Sequence, residues 1–312
     1  MALPPRLVPP RSGVDPARTE ELRHEVRQFL AEQLAAGSFT PPSVDAWLCG
    51  WDEDFTAALA ARGWLGMTVP AEYGGHGRSF VERFAVTEEL LAAGAPVAAH
   101  WIADRQIVPS LLKYGTEFQR SEFLPKIVRG GECFFGIGMS EPDSGSDLAS
   151  VRTKAERVDG GWTLTGTKVW TSGAHLAHAF IALARTEPVD PAHRHAGLSQ
   201  FIVDLRGPRC RDPAHRLDER GGAPFQRGAP RRSLRSRRHG VRRDRSGLQQ
   251  VTSELAFERS GPERFLSTFV LLDACAETMG SQQLSRSTDL GRLVARVAGL
   301  HQMSSAVAGA LE

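Results

Sequence analysis

The residues best equipped for chemistry lie in two short stretches. Residues 139–147, M-S-E-P-D-S-G-S-D, gather Ser140, Ser144 and Ser146 with acidic residues and a glycine, directly after the apolar run 134–138. A loop of this composition leaving a strand exposes several backbone N–H donors, which suit phosphate or carbonyl oxygens. The same composition also fits a plain surface turn. Residues 166–173, G-T-K-V-W-T-S-G, set Trp170 among hydroxyls. On a strand, that indole can cover one face of a flat aromatic ring, or it can fill a core.

Other chemical signals are missing. No G-x-x-x-x-G-K-[ST] loop, H-E-x-x-H or G-x-S-x-G occurs. Gly136 and Gly138 begin a G-x-G-x-x-G string, but Glu141 takes the place of its last glycine, and β-structure rather than a helix is expected to follow, so a Rossmann site is not expected. Cys49, Cys133, Cys210 and Cys275 stand far apart, which reads as buried free thiols with neither a disulfide nor a metal site.

The elements that must hold the two stretches follow from hydrophobic period. Thr19 is positioned to cap a helix whose Leu22, Val26, Phe29, Leu30 and Leu34 share one face, with Gly37 after its last turn. Helical patterns continue through 55–61, 81–93, 107–114 and 117–128. Short β-rich runs follow at 134–140, 162–173, 179–186 and 199–205, separated by Gly, Pro, Asp and His turns. From Gln249 the pattern is helical again. The fold class expected is α+β: an N-terminal helical domain (1–130), a central antiparallel β domain (131–245) and a C-terminal helical bundle (246–312).

Composition sets the outer bounds. The chain has 312 residues, 41% hydrophobic and 24% charged, which excludes collagen-like, disordered and disulfide-scaffold classes. No apolar run reaches the ~18–20 residues of a membrane span. The proline-rich start has no apolar signal segment, so a cytoplasmic protein is expected. The net charge of +2 hides an imbalance. Residues 208–246 hold thirteen arginines, no lysine and four acidic residues, an excess of nine positive charges. Such a block can be read as a nucleic-acid arm.

Taken together and in order, the two stretches resemble the acyl-CoA dehydrogenase family, which carries a T/S-E-P-x-x-G-S-D loop and, about two dozen residues on, N/T-G-x-K-x-W-I/T-T/S-N/G. Residues 63–75, GWLGMTVPAEYGG, are similar to the family's G-x-x-G-x-x-V-P-x-E-Y-G-G connection; 113–142, 176–186, 197–205 and 253–265 fit its neighbouring elements. The resemblance covers 20–207 and 246–312. It implies a helical domain, a β domain and a four-helix bundle, with FAD bound without a Rossmann fold. The implied reaction is α,β-desaturation of an acyl-CoA thioester, in which a carboxylate takes the α-proton and a hydride passes to the flavin. Carried over by position, Met139 and Ser140 meet the flavin's pyrimidine edge, Ser146 lies on the loop shared by cofactor and thioester, Trp170 covers the ring and Ser172 approaches N5. The implied partners are acyl-CoA, an electron-transfer flavoprotein or similar acceptor, and further copies of the chain in a homodimer or homotetramer. No nucleic acid and no membrane are implied.

The base is carried over with less support. Most members of the family take it from a C-terminal loop, a minority from a Glu placed directly before an Arg on the first helix of the C-terminal domain, and Glu258-Arg259 occupies that place. Leu255 and Phe257 beside it would raise the carboxyl's pKa toward a useful range. Glu258 can equally be a surface partner of an Arg. Relative to the family pattern the chain stops inside the C-terminal bundle and lacks an R-x-x-F-G motif, so a non-catalytic remnant that keeps the fold for association is the alternative.

The arginine block has a simpler origin than nucleic-acid binding. Residues 226–239 can be written in codons that, read one base later, give N-E-V-L-L-D-E-A-F-V-P-D-D, close to the F-N-E-V…D-D-V…V-P segment the family has here. Residues 208–226 likewise can give P-G-V-E-I-R-P-I-V-S-M-N-G-G-A-H-H-F. Only the middle base of each shifted codon is free, so a one-base shift near Pro208, corrected near Ser246, is the reading. Residues 208–246 are then expected to be disordered rather than to continue the β domain.

Overall fold

The computed structural model describes residues 15–40, 43–159, 161–206, 234–237, 247–279 and 287–311. They form two compact units.

The first unit joins the N-terminal helices to the last ones. Helix α1 (Pro16–Ala35) begins at Asp15, whose carboxylate accepts from the Ala17 amide at 2.9 Å. The expected cap, Thr19, instead sits inside the first turn and donates to the Pro16 carbonyl at 2.8 Å. Pro16 explains the shift: its fixed φ and missing N–H suit the first helical position, which moves the cap back to Asp15. Short α2 (Ala46–Cys49) and α3 (Glu53–Ala61) follow, then α4 (Phe80–Ala92), which a Ser79–Glu82 capping box starts. Leu22, Val26, Phe29 and Leu30 form the buried face of α1, and the Phe29 ring meets Phe55 and Trp64. Arg27 grips Glu89 of α4 through two nitrogens, at 2.8 and 2.6 Å. Helices α9 (Glu263–Leu266), α10 (Phe269–Thr278) and α11 (Thr288–Ala310) complete the unit. Within α11, His301 Nε2 hydrogen-bonds the Glu88 carboxylate at 2.8 Å and its ring meets those of Phe84 and Phe265. Along α10 and α11, Leu271, Leu293, Leu300 and Met303 are exposed.

The second unit carries the sheet. It is fed by α5 (Ala98–Ile102), a π-helical turn at 103–107, α6 (Val108–Tyr114) and α7 (Glu117–Arg129), the last with a Thr116–Gln119 capping box. The strands are β1 (Phe135–Gly138), β2 (Lys154–Val158), β3 (Gly161–Thr165), β4 (Ala179–Arg185), β5 (Leu198–Asp204) and β6 (Leu234–Arg237). Strand β4 is buried along its whole length and organises the rest. It pairs antiparallel with β5 from Ala179↔Asp204 to Arg185↔Leu198. Parallel to it lie β1, at Phe135↔Ala179 to Gly138↔Ala182, and then β2, at Lys154↔Arg185. Antiparallel β2–β3 and β3–β6 pairs extend the sheet. The α+β class therefore holds with one refinement: the sheet is mixed, because the chain returns to β4 in the same sense in which it left. Helix α8 (Gly247–Arg259) adds Val251 to a core of Val151, Leu183 and Leu198.

Of the stretch 208–246, only 234–237 is described, as β6; the expectation of disorder otherwise falls outside the described residues. The cysteines divide differently from the expectation. Cys133 is buried, and burial pushes its thiol up to about 12, but Cys49 and Cys275 are exposed, each in the last turn of a helix. Cys210 lies outside the described residues.

Candidate flavin and thioester site

The loop 139–153 is an excursion from the edge of β4. The chain leaves that edge at Gly138, opposite Ala182, and is back at Lys154, opposite Arg185, where the Arg185 amide donates to Thr153 at 2.7 Å. A side chain at Gly138 would run into the Phe180 ring, so the exit is open only to glycine. The buried Arg185 guanidinium fixes the return, donating to the carbonyls of Val151 (3.0 Å) and Ala149 and, across the β4–β5 loop, to Arg194 and Ala196.

Inside the excursion Glu141 and Ser144 exchange backbone hydrogen bonds at 2.6 and 3.1 Å, closing a tight turn. Ser144 is buried and donates to the Asp147 carbonyl at 2.8 Å. Ser146 is exposed at the tip, while Met139 and Ser140 stand half-buried at the end of β1. The acidic residues separate by role. Asp143 and Asp147 pair with Arg152 and Arg194 at the surface, whereas Glu141 turns inward.

The second stretch runs alongside the first. Val169 donates its amide to the Ser140 carbonyl at 2.9 Å, and Lys168 donates to the Met139 carbonyl at 3.1 Å. Lys168 also reaches Glu141 at 2.9 Å in a buried pair. Burial works to raise the Glu141 carboxyl, but the Lys168 charge and the Thr153 and Arg152 donors outweigh it and hold it below the usual carboxylate value. Burial pushes the Lys168 ammonium down to about 8 against the pull of Glu141.

Trp170 is placed otherwise than as a core residue or on a strand. Strand β3 ends at Thr165, and Gly166 packs so closely on Thr153 that no side chain fits there. The chain then crosses in open conformation, with Trp170 at φ 60° and 57% exposed. A left-handed backbone at a bulky aromatic is costly and recurs at functional sites. Next to it, Thr171 Oγ1 is buried with no hydrogen-bond partner among the described residues, and Ser172 is half-buried in the following turn. An exposed indole, a half-buried serine at a strand end and an unsatisfied hydroxyl beside them fit a flat, polar-edged ring system such as a flavin.

Behind the return of the loop lies a cavity of about 660 Å³ lined by Ala149, Val151, Arg152, Lys154, Arg185 and Arg194, among others. Its cations outnumber the two carboxylates that line it, Glu156 and Glu187.

Glu258 is half-buried at the C-terminal end of α8. Its backbone carbonyl accepts from the buried Arg105 guanidinium at 3.1 Å, and the Phe257 carbonyl accepts from the same group. Arg105 belongs to the π-helical turn with buried Asp104 and Gln106. This turn leaves no mark in the sequence, because the polar run Asp104-Arg105-Gln106 between Ala103 and Ile107 carries no signal that it goes inside. Sequence reasoning also assigns no role to Glu141 and Lys168, although both stand inside the quoted motifs.

Comparison with known proteins agrees with this arrangement. The model of the acyl-CoA dehydrogenase N-terminal domain matches residues 16–131, and that of the middle domain matches residues 136–222. Acyl-CoA dehydrogenase FadE34 of Mycobacterium tuberculosis is 41% identical over 202 residues, covering 64% of this chain and 25% of that protein. Acyl-CoA dehydrogenase IpdE1 of the same organism is 40% identical over 195 residues, covering 61% and 50%. The chain thus spans between a quarter and a half of the length of these relatives. Among solved structures, the Tcur3481-Tcur3483 steroid ACAD superposes with a TM-score of 0.76 at 29% identity, over 95% of this chain and 77% of that one. The ChsE4-ChsE5 complex from Mycobacterium tuberculosis gives 0.73 at 27% identity, over 97% and 78%. With both domain models matched in order and the motif residues brought side by side, the chain belongs to the acyl-CoA dehydrogenase family, and by family it is an oxidoreductase.

Proposed function

We propose that this chain carries the flavin and thioester surface of an FAD-dependent enzyme that desaturates an acyl-CoA at the α,β position. The observation that carries the reading is the exposed, left-handed Trp170 held beside Ser140 by the Val169 amide. Met139, Ser140, Trp170 and Ser172 would hold the isoalloxazine, and Ser146, at the exposed loop tip, would serve cofactor and thioester together. FAD bound there supplies the hydride acceptor. Trp170 covers one face and keeps water from it, while Ser140 and Ser172 offer hydroxyls to the polar edge. Glu258 is the group proposed to take up the α-proton at its carboxylate. The cation-lined cavity beside Arg152, Lys154 and Arg194 would receive the phosphates of the coenzyme, to which its charge is complementary.

Electrons would leave to an electron-transfer flavoprotein or a similar acceptor. Assembly with a second chain is supported by the exposed Leu271, Leu293, Leu300 and Met303, and by the two-protein descriptions of the ChsE4-ChsE5 and Tcur3481-Tcur3483 neighbours. An association role without catalysis is the second reading, and the same apolar face supports it. A cytoplasmic location is proposed with either; among the described residues no helix is long and apolar enough to cross a membrane.

The test is to purify the chain, titrate it with FAD, and add octanoyl-CoA or a steroid side-chain CoA thioester without oxygen. Bound flavin that bleaches on thioester addition is the expected result. Bound flavin that never bleaches favours the association role, and absence of flavin binding removes the reading.

A further inference from the structure

Two rungs hold the flavin-facing stretches together, and both come from consecutive residues. Lys168 reaches the Met139 carbonyl and Val169 reaches the Ser140 carbonyl, so the chain just before Trp170 is fixed to the chain at the end of β1. Beneath these rungs Glu141 accepts from four donors: the Lys168 ammonium at 2.9 Å, the Arg152 and Thr153 amides at 2.7 and 2.9 Å, and the Thr153 hydroxyl. One carboxylate, carried at the start of the excursion, thereby reaches its return to β4 and the second stretch.

We infer that the buried Glu141–Lys168 pair is a clasp whose role is to position Met139–Ser140 against Trp170, setting the shape of the surface to which the flavin would bind. The inference rests on the flavin reading above only for its consequence; the clasp itself is a statement about these two stretches. Neither charged group lies on the exposed surface, so both are positioning residues. A buried ion pair is weak grounds for stability, since well-packed apolar replacements are often as stable, whereas removal of one partner leaves a charge uncompensated. What an apolar pair cannot do is bond directionally to the Arg152–Thr153 backbone and, through Lys168, to the Met139 carbonyl, and that is what the Glu141–Lys168 pair does here.

The experiment compares the parent chain with Glu141→Gln, Lys168→Met and a double variant carrying methionine at both positions. Amide hydrogen exchange is followed without flavin over 139–147, 167–173 and, as an internal reference, β4–β5. FAD affinity is measured in parallel by titration. The expected result is at least tenfold faster exchange in both stretches with the β4–β5 reference unchanged, and at least tenfold weaker FAD binding. The double variant should recover melting temperature but neither slow exchange nor FAD affinity. Unchanged exchange in the stretches, equal acceleration in β4–β5, or full recovery by the double variant overturns the clasp. If exchange responds as expected while the parent binds no FAD, the clasp stands and the flavin reading falls.

Discussion

The Val169 amide donates to the Ser140 carbonyl at 2.9 Å, joining two segments that the sequence separates by the whole β2–β3 hairpin. Spacing alone gives no reason for residues so far apart to meet. The hairpin supplies it: β2 starts beside Arg185 of β4, β3 runs back along β2, and the chain leaving β3 at Gly166 is delivered to the end of β1.

That delivery makes Trp170 a test of use against packing. Because the side chain is more than half exposed, Trp170→Ala should leave the melting temperature within a few degrees, as surface changes within about 0.5 kcal/mol do. Flavin retention should nevertheless fall at least tenfold. A variant that keeps full FAD while unfolding much earlier would mark Trp170 as a packing residue.

His301 gives the first unit a pH dependence of defined sign. The hydrogen bond that its ring donates to the Glu88 carboxylate raises its pKa above the ordinary value of 6.5, outweighing burial, with the Arg23 charge opposing. A raised folded pKa means that protonated His301 favours the folded state. That stabilisation is complete below about pH 6.5, where the unfolded imidazole is also protonated, and is lost as pH rises through the folded pKa. Melting curves between pH 5 and 9 should show the parent losing stability over this window and His301→Gln staying flatter. Parallel curves would mean that the pair contributes nothing.

Helices and strands were legible because their signals are local. Leu22, Val26, Phe29 and Leu30 repeat at helical spacing and are the buried face of α1, and the apolar run 179–185 is the fully buried β4. What escaped was set by tertiary placement. Parallel pairing of β1 and β2 on one edge of β4 depends on a long excursion whose path no periodicity records. Cys49 and Cys275 are chemically suited to a core yet stand outside it. The motif stretches are legible as text, and they meet where Val169 and Lys168 donate to the Ser140 and Met139 carbonyls, but the inward turn of Glu141 and the left-handed backbone of Trp170 are properties of packing. The π-helical turn with Arg105 beneath Glu258 left no signal at all.

The arginine-rich stretch yields a prediction about the gene. In the shifted frame, 234–237 would read F-V-P-D in place of L-R-S-R, and the stretch would regain apolar residues such as V-L-L and A-F-V while losing an excess of nine positive charges. A chain recoded over 208–246 should therefore melt higher and aggregate less than the parent chain, since regained apolar residues can be buried and self-repulsion is removed. Equal melting temperature and equal aggregation would count against the shifted frame, as would nucleotides that cannot spell it.

The proposed proton acceptor is the most exacting case. Glu258 sits at the end of α8, where Arg105 holds the carbonyls of Phe257 and Glu258 from the buried π-helical turn, so its backbone is fixed while its side chain is half-buried. A base must be held within reach of the proton it takes, and for Glu258 the proposal is that the clamped helix end does this. Glu258→Gln keeps the size of the side chain and most of its hydrogen bonds, so FAD and acyl-CoA binding should persist. An amide cannot accept the α-proton, so anaerobic bleaching of the flavin should slow by about 10²–10⁴, the scale of a positioned general base. Arg105→Met provides the second arm. Freeing the helix end should lower the bleaching rate at saturating thioester without abolishing it, because the carboxylate is still present but no longer held. If Glu258→Gln bleaches at the parent rate, Glu258 serves the structure of α8 and the proton goes elsewhere. If only Arg105→Met slows the reaction, the clamp matters for the shape of the pocket rather than for a base at this position.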